Sequence, residues 1–356
     1  MTAVQYSNKN AGDIASALLA HYRKNARALP WRAPPGTNLP DPYNVWLSEI
    51  MLQQTTVTAV IPHFERFTAR WPDFTALAAA DEADVMAAWA GLGYYARARN
   101  LVASAKVVAV HHHSRLPETE AELLKLPGIG QYTAAAIAAI AFGQRAVVVD
   151  ANIERVVARL FAIGTPLPSG RVQIRAAADT ITPDVCAGDF AQAMMDLGAG
   201  ICSVRNPSCV ICPLLGYCAA GQAGTAEAYP VKLAKKTKPN RTGTAYWIEQ
   251  DGQVWLVKRD GKGMLGGMRA LPDDGWTAKI DGSDVPLFLA DWKILPQTVA
   301  HVFTHFSLDL KIAVTASTFD RDALGEGEYW PVKSLDKAGL PTLFNKVAKA
   351  VFASGE

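Results

Sequence analysis

Leu123-Leu124-Lys125-Leu126-Pro127-Gly128-Ile129-Gly130-Gln131-Tyr132-Thr133-Ala134 reads as helix, glycine-containing turn, helix, within a hairpin over residues 123–142. Gly128 and Gly130 allow positive φ and let a ligand approach the backbone closely. The second helix then starts with free N–H groups aimed outward, a natural phosphate site. Amide contacts of that kind grip a strand without reading its sequence. A Pro-Gly-x-Gly turn by itself also describes an ordinary helix connection. A carboxylate downstream makes it more specific: twenty residues after Gly130, at the end of Ala146-Val147-Val148-Val149, stands Asp150. Followed by Ala151-Asn152, it is placed to N-cap a helix over Ile153 to Phe161. The other reading is a carboxylate that does chemistry beside the hairpin.

Outward from the hairpin, residues 11 to 225 carry helical periodicity, as in Trp46, Leu47, Ile50, Met51 and in Leu101, Val102, Ala105, Val108. Pro34-Pro35-Gly36, Trp71-Pro72-Asp73 and Leu116-Pro117 punctuate the pattern. Ala146 to Val149 alone reads as strand. The expectation is an all-α domain over residues 1–228. His111-His112-His113 cannot share one helix face and reads as a solvated helix end.

Four of the five cysteines fall in one loop, residues 202–218: Cys202, Cys209, Cys212 and Cys218, spaced C-x6-C-x2-C-x5-C. Thiolates favour iron–sulfur, zinc and copper(I). A four-cysteine zinc site usually pairs two short knuckles. One knuckle with a long arm on each side suits a [4Fe–4S] cube better, with zinc as the alternative. Cys186 reads as a buried small hydrophobe.

A chain of 356 residues is long for one core, so two domains are expected. Apolar residues make up 50% and charged residues 19%, a globular balance. The net charge of +2 neither demands nor excludes nucleic acid, because a basic stripe on one face suffices. MTAVQYSNKN has no apolar signal region. The apolar run Thr133 to Phe142 is too short for a bilayer. A cytoplasmic protein with no membrane contact is expected.

Residues 229–241 read as a basic linker: Val231 to Arg241 holds four lysines, one arginine, one proline and no acid, and is expected to be extended and solvated. Beyond it the period changes to two. Thr244–Glu249 and Val254–Lys258 flank Asp251-Gly252, a hairpin signal. Leu308, Leu310, Ile312 and Val314 alternate with Ser307, Asp309, Lys311, Ala313 and Thr315 as a half-buried strand. A helix around Leu343, Val347, Ala350 and Val351 closes an α+β domain over 242–356.

Hairpin, downstream aspartate and cysteine loop together resemble the helix-hairpin-helix DNA glycosylases that carry an iron–sulfur cluster. Within them the chain is similar to the MutY-type adenine glycosylases, closely over residues 12–225 and more loosely beyond. The resemblance is carried by Leu29-Pro30-Trp31-Arg32, by Tyr43 to Thr55 (YNVWLSEIMLQQT), by Gly91 to Asn100 (GLGYYARARN) and by Gln192 to Ala199 (QAMMDLGA). Relatives of the endonuclease III type carry a hairpin lysine that attacks the sugar. Here that position is Tyr132, so no Schiff-base nucleophile is available and a monofunctional enzyme is implied.

The resemblance further implies a monomer that binds double-stranded DNA holding adenine opposite 8-oxoguanine or G. Glu49, in the apolar run Val45 to Leu52, would stay protonated and donate to N7 of adenine. Asp150, near helix-terminal N–H groups, would stay ionised and face the developing oxocarbenium ion or bond transiently to the sugar. Asn152 and Tyr132 would position these groups. Trp31, Arg32 and Gln192 would line the base pocket, Gln54 and Tyr94 would wedge into the duplex, and Leu52 and Thr55 would contact 8-oxoguanine. Tyr94 and Tyr95 have packing as the alternative, against which Gly91, Gly93, Arg97 and Arg99 favour a DNA-facing loop.

The C-terminal part resembles the family's Nudix-like reader of 8-oxoguanine. It has no R-E-x-x-E-E string after residue 241 to hold a hydrolase metal, so a reader is favoured over a second enzyme. The family's Phe-Ser-His loop stands here as Phe303-Thr304-His305, and Leu265 precedes Gly266-Gly267 where tryptophan is usual. Two other readings remain: a glycosylase for thymine mismatches or oxidised pyrimidines, and a catalytically silent lesion-binding protein. Retention of both carboxylates argues against the latter.

Overall fold

A computed structural model describes residues 10–233, 237–259, 264–315 and 324–355. The first nine residues, and Lys235-Lys236 of the basic linker, lie outside the described residues. The chain divides into two compact units, Met1–Ala234 and Lys235–Glu356.

Among its described residues the first unit is helical: α1 (Ala11–Asn25), α2 (Pro42–Met51), α3 (Val57–Arg70), α4 (Phe74–Ala78), α5 (Glu82–Ala88), α6 (Ala96–His111), α7 (Glu120–Leu123), α8 (Gln131–Phe142), α9 (Ala151–Leu160), α10 (Arg171–Ile181), α11 (Ala187–Gly200) and α12 (Ala219–Gln222). The starts are written locally. Asp41, Thr56, Asp73, Asp81 and Thr119 each accept a hydrogen bond from an amide in the first turn of α2, α3, α4, α5 and α7. Helix α8 is the axis: Thr133 through Ala141 are all buried, as expected of a helix apolar on every side. It packs against α2, α7 and α11. Two glycines of α11 set the closest approaches. A Cβ on Gly188 would stand 2.4 Å from the Ala139 carbonyl oxygen, and one on Gly198 would stand 2.6 Å from Asn152 Cβ. So α11 lies directly on α8 and on the first turn of α9.

Three expectations change here. Ala146–Val149 belongs to no strand; its burial alternates, but the segment runs extended into α9. Cys186 is exposed rather than buried, because it is the left-handed residue (φ 63°) that starts α11. The hairpin's first helix, α7, has only four residues. His111–His113 do end α6.

In the second unit, β1 (Asn240–Gln250), β2 (Gln253–Lys258), β3 (Arg269–Ala270), β4 (Lys293–Ile294), β5 (Val299–Val302), β6 (Ser307–Thr315) and β7 (Glu328–Pro331) form a sheet of order β3-β2-β1-β6-β4. Strand β5 also pairs with β6, and β7 with β2. Asp251 (φ 52°) and Gly252 (φ 70°) make the two-residue turn between β1 and β2, as Asp-Gly demands. Strands β1 and β6 run parallel from Asn240↔Ser307 to Ile248↔Thr315. The terminal helix α13 (Thr342–Ser354) contributes Leu343, Phe344, Val347 and Val351 to the core on one face. The alternation of β6 holds from Ser307 to Lys311 and then stops, with Ile312 to Thr315 all buried. A second cluster, built from Tyr246, Ile248, Trp255 and Ala313, covers the other face. The linker's ends are built into structure: Leu167 N–H donates to the Val231 carbonyl (2.9 Å), and Lys238 Nζ donates to the Phe303 carbonyl (2.8 Å).

Candidate active site

The end of α2 and the N-termini of α8 and α9 converge on a cavity of about 740 Å³, with α11 supplying a further wall. Its lining includes Trp31, Arg32, Glu49, Leu52, Gln54, Thr55, Tyr132, Asp150, Asn152 and Gln192. Residues far apart in sequence thus meet because α2 and α11 both pack on α8.

Glu49 is 6% exposed. Burial pushes its carboxyl up from 4.5 to about 7; Tyr132 Oη, donating to Oε2 at 2.7 Å, and the Arg32 guanidinium pull the other way, while Asp150 adds to the rise. Burial, with the carboxylates of Glu49 and Asp150 nearby, holds the Tyr132 phenol well above its ordinary value, so it remains a donor.

Asp150 caps α9, accepting from Ile153 N–H at 2.6 Å, and also accepts from Asn152 Nδ2 at 3.0 Å. Capping and site placement therefore coexist in one side chain. Burial raises its pKa against the pull of these donors and of Arg155, an effect that the helix-terminal amides alone do not reveal. Arg155 extends the network: it donates to Asn152 Oδ1 (3.0 Å), the Gly198 carbonyl (2.6 Å) and the Cys202 carbonyl (2.8 Å). Neither Arg155 nor Arg159 stands out in the motifs of the sequence. Their spacing of four on α9 places them on one face, which is the signal available there. Arg32, 7% exposed in its side chain, is fixed by Asp196 (2.8 Å), which Arg27 also holds (2.6 Å). Burial works to raise Asp196, but the hydrogen bonds and charges of these arginines keep it below its usual value.

Two loops stand beside the cavity. Gln54 (φ 58°) and Tyr94 (φ 50°) both adopt left-handed backbone, and both are exposed, Tyr94 by 56%. Such strain in a non-glycine residue persists only where its surroundings enforce it. Arg97 is the enforcing group. Its Nη1 donates to the Ile50 and Met51 carbonyls (3.1 and 2.9 Å), and its Nη2 to Thr55 Oγ1, Leu92 O and Gly93 O (3.0, 3.0 and 3.2 Å). Within the loop that Gly91, Gly93, Arg97 and Arg99 mark, Arg97 is thus buried scaffolding. Tyr95 packs against the core while Tyr94 does not.

In the hairpin, Gly128 has φ 77°, and a Cβ there would meet Asn100 Cβ at 2.7 Å. Gly130 differs from expectation: its φ is −96°, it is the N-cap of α8, and no side chain caps that helix. The freedom it provides is open space above the first turn, not backbone conformation.

Cys202, Cys209, Cys212 and Cys218 line one small cavity with Arg159. Arg159 Nη1 donates to Cys202 Sγ (3.2 Å) and Gly221 N–H to Cys218 Sγ (3.3 Å). Burial pushes the Cys212 thiol up to about 11 and the Cys218 thiol up as well. Among the described residues no three His, Cys, Asp or Glu converge on one point as the ligands of a single ion do. Four soft donors around a shared space, two receiving N–H bonds, fit a multi-iron cluster.

In the second unit Phe303 stacks on Phe306 at 4.7 Å, in the turn between β5 and β6. Thr304 and His305 stand exposed at its tip.

A helical hairpin beside one buried and one half-buried carboxylate, Glu49 and Asp150, with a four-cysteine loop tied to the helix that Asp150 caps, defines a base-excision DNA glycosylase scaffold. Residues 47–178 match the family described as HhH-GPD superfamily base excision DNA repair protein, and residues 243–350 match the NUDIX domain. The chain belongs to the adenine DNA glycosylase family. It is 31% identical to the adenine DNA glycosylase of Buchnera aphidicola subsp. Schizaphis graminum over 94% of this chain and 97% of that one. To the adenine DNA glycosylase of Mycolicibacterium smegmatis it is 41% identical, over 68% of this chain and 79% of the relative. The solved structure of a thermostable thymine-DNA glycosylase superposes with a TM-score of 0.53 at 30% identity, covering 61% of this chain and 98% of that one. No helix among the described residues is long and apolar enough to cross a membrane.

Proposed function

We propose that this chain binds duplex DNA and hydrolyses the N-glycosidic bond of adenine mispaired with 8-oxoguanine or G, without cleaving the strand. The observation that carries the reading is Glu49: a buried carboxyl poised near neutrality in the same cavity as Asp150. Two carboxyls of this kind suit departure of a base through an oxocarbenium-like transition state. Adenine leaves the stack, at a cost of roughly a few kcal/mol, and enters between Trp31, Arg32 and Gln192. Glu49 gives its proton to N7, the electron pair of the sugar–base bond goes to N9, and Asp150 faces the positive charge left on the sugar. Tyr132 and Asn152 orient the two acids. Tyr132 offers no amine for a Schiff base, which supports monofunctional chemistry.

Gln54 and Tyr94 are read as wedges, Leu52 and Thr55 as contacts to the opposite base, and Gly128 and Gly130 as the backbone grip on phosphate. In the division 1–228, 229–241 and 242–356, the first part carries catalysis and the last reads 8-oxoguanine through Phe303, Thr304 and His305. Cys202, Cys209, Cys212 and Cys218 would hold a [4Fe–4S] cluster, which when bound cross-links the loop beside α9. The enzyme acts as a cytoplasmic monomer.

The test is incubation with a duplex holding A opposite 8-oxoguanine, then alkali, beside G·T and oxidised-pyrimidine duplexes. Alkali-labile sites are expected in the first duplex and not in the others. Absence of adenine release from it would overturn the reading. Visible absorbance of the purified protein distinguishes iron–sulfur from colourless zinc.

A further inference from the structure

A second cavity, of about 310 Å³, lies behind the candidate base pocket. Gln192 and Ile140 line both cavities. The partition is lightly held. Gln192 is buried, and among the described residues its side chain makes one hydrogen bond, from Nε2 to the Gly188 carbonyl at 3.4 Å, at the long limit for such a bond. The far wall is the segment Ala33–Pro40, tied to α11 where Gly36 N–H donates to Asp189 Oδ2 at 3.3 Å. Its lining mixes apolar surface (Pro34, Leu39, Ile140) with polar groups (Thr37, Asn38, Asp189). The exposed thiol of Cys186 also lines this cavity.

These surroundings suit a free purine: flat, neutral, apolar on its faces, with donors and acceptors around its edge. They do not suit a nucleotide, because the lining offers an acid and no cation for a phosphate. The proposed base excision, on which this inference rests, also creates the need. After the bond breaks, the abasic strand still lies over the mouth through which the base entered. The leaving adenine therefore requires a route away from the DNA.

We propose that the rear cavity is a transient binding site for free adenine and its exit port, with Gln192 as the movable partition. Free adenine passes Gln192, rests between Leu39 and α8 against Asp189 and Asn38, and leaves past Cys186. The enzyme–abasic DNA complex stays assembled meanwhile.

The experiment uses the whole protein in single turnover on an A·8-oxoguanine duplex carrying radiolabelled adenine. Cys186 is alkylated with a bulky aromatic maleimide to plug the port, and Cys186→Ser treated identically reports any effect of alkylating other thiols. Alkali-labile sites measure excision, and rapid desalting of the protein–DNA complex measures retained adenine. Excision is expected to stay within about twofold of untreated protein. Departure of adenine from the plugged complex is expected to slow at least tenfold, with treated Cys186→Ser behaving as untreated. Leu39→Trp, which fills the cavity from an exposed position without thiol chemistry, is expected to act in the same direction. Equal departure rates in plugged, Leu39→Trp and untreated proteins would overturn the port while leaving excision intact. Absence of alkali-labile sites with untreated protein is the separate outcome that removes the underlying function.

Discussion

Tyr132 Oη donates to Glu49 Oε2 across 2.7 Å, joining the first turn of α8 to the last turns of α2. The bond opposes burial, which raises the Glu49 carboxyl; the balance leaves it at about 7. A general acid is most effective with a pKa near its working pH.

Tyr132→Phe removes the opposing bond, so the Glu49 pKa rises further. Hydrogen bonds to charged groups are worth about 1.5–3 kcal/mol, equivalent to about one pKa unit or somewhat more. The alkaline limb of single-turnover excision, which falls as Glu49 loses its proton, is expected near pH 7 in the parent and about one unit higher in the variant. A limb that stays in place would separate Glu49 from that ionisation.

Glu49 also makes the site costly at high pH. A carboxyl raised from 4.5 to about 7 on folding stabilises the protein below pH 4.5, and that contribution is lost as pH rises through about 7. The full shift corresponds to roughly 3 kcal/mol. Glu49→Gln does not titrate, so it should gain on the parent by that amount between pH 4.5 and pH 8 in denaturant unfolding. Its excision rate should fall by about 10²–10⁴-fold. Parallel stability profiles for the two proteins would contradict the buried titration.

Arg155 connects the cysteine loop to the acid at the head of α9, through the Cys202 carbonyl at one end and Asn152 Oδ1 at the other. Lysine keeps the charge but not the planar fork that reaches both. Arg155→Lys is expected to lower single-turnover excision at least tenfold while duplex affinity stays within about threefold, a split set by the position of Asp150 rather than by grip on DNA. Binding isotherms and quenched time courses on the same duplex read the two terms; equal losses in both would indicate general loosening instead.

The hairpin, the cap at Asp150 and the Asp251-Gly252 turn are legible in the sequence because each is a local signal, with glycine or a capping side chain at a fixed offset. The Glu49–Asp150 pairing is suggested only by resemblance, because nothing in one sequence states that α2 and α9 meet across α8. The roles of Arg155 and Arg97 escape a sequence reading for the same reason: each ties its own surroundings to a carbonyl more than forty residues away in the chain, Cys202 for Arg155 and Met51 for Arg97. Burial of Ile312 to Thr315 on both faces depends on Phe288, Trp292 and Tyr329 reaching the far side of the sheet. Cys186 reads as a core residue by composition and is exposed by backbone geometry.

The two hairpin glycines should respond differently to alanine. At Gly128 the positive φ and the Asn100 side chain both oppose a Cβ. Gly128→Ala is expected to cost about 1 kcal/mol or more in stability. At Gly130, with φ −96° and open space, Gly130→Ala should leave stability within about 0.5 kcal/mol yet weaken duplex binding, because the methyl stands where phosphate would approach the α8 amides. Thermal unfolding and duplex titration check the pair. Unaltered affinity in Gly130→Ala would move the phosphate contact elsewhere.

Arg97 holds both exposed, left-handed loop residues in place: one nitrogen fixes the end of α2 before Gln54, and the other bridges Thr55 to Leu92 and Gly93 beside Tyr94. Lysine is a single point donor and cannot span both loops, so Arg97→Lys releases one from the other. Its distance from the acids predicts a selective defect. Duplex affinity should fall at least tenfold, about 1.4 kcal/mol. At saturating enzyme the alkaline limb set by Glu49 should stay near pH 7, because Arg97 is not among the groups that set that carboxyl. Circular dichroism guards against simple unfolding. If the limb moves with the affinity, the arginine supports the whole helical core rather than the two loops; if neither moves, the loops keep their geometry without it.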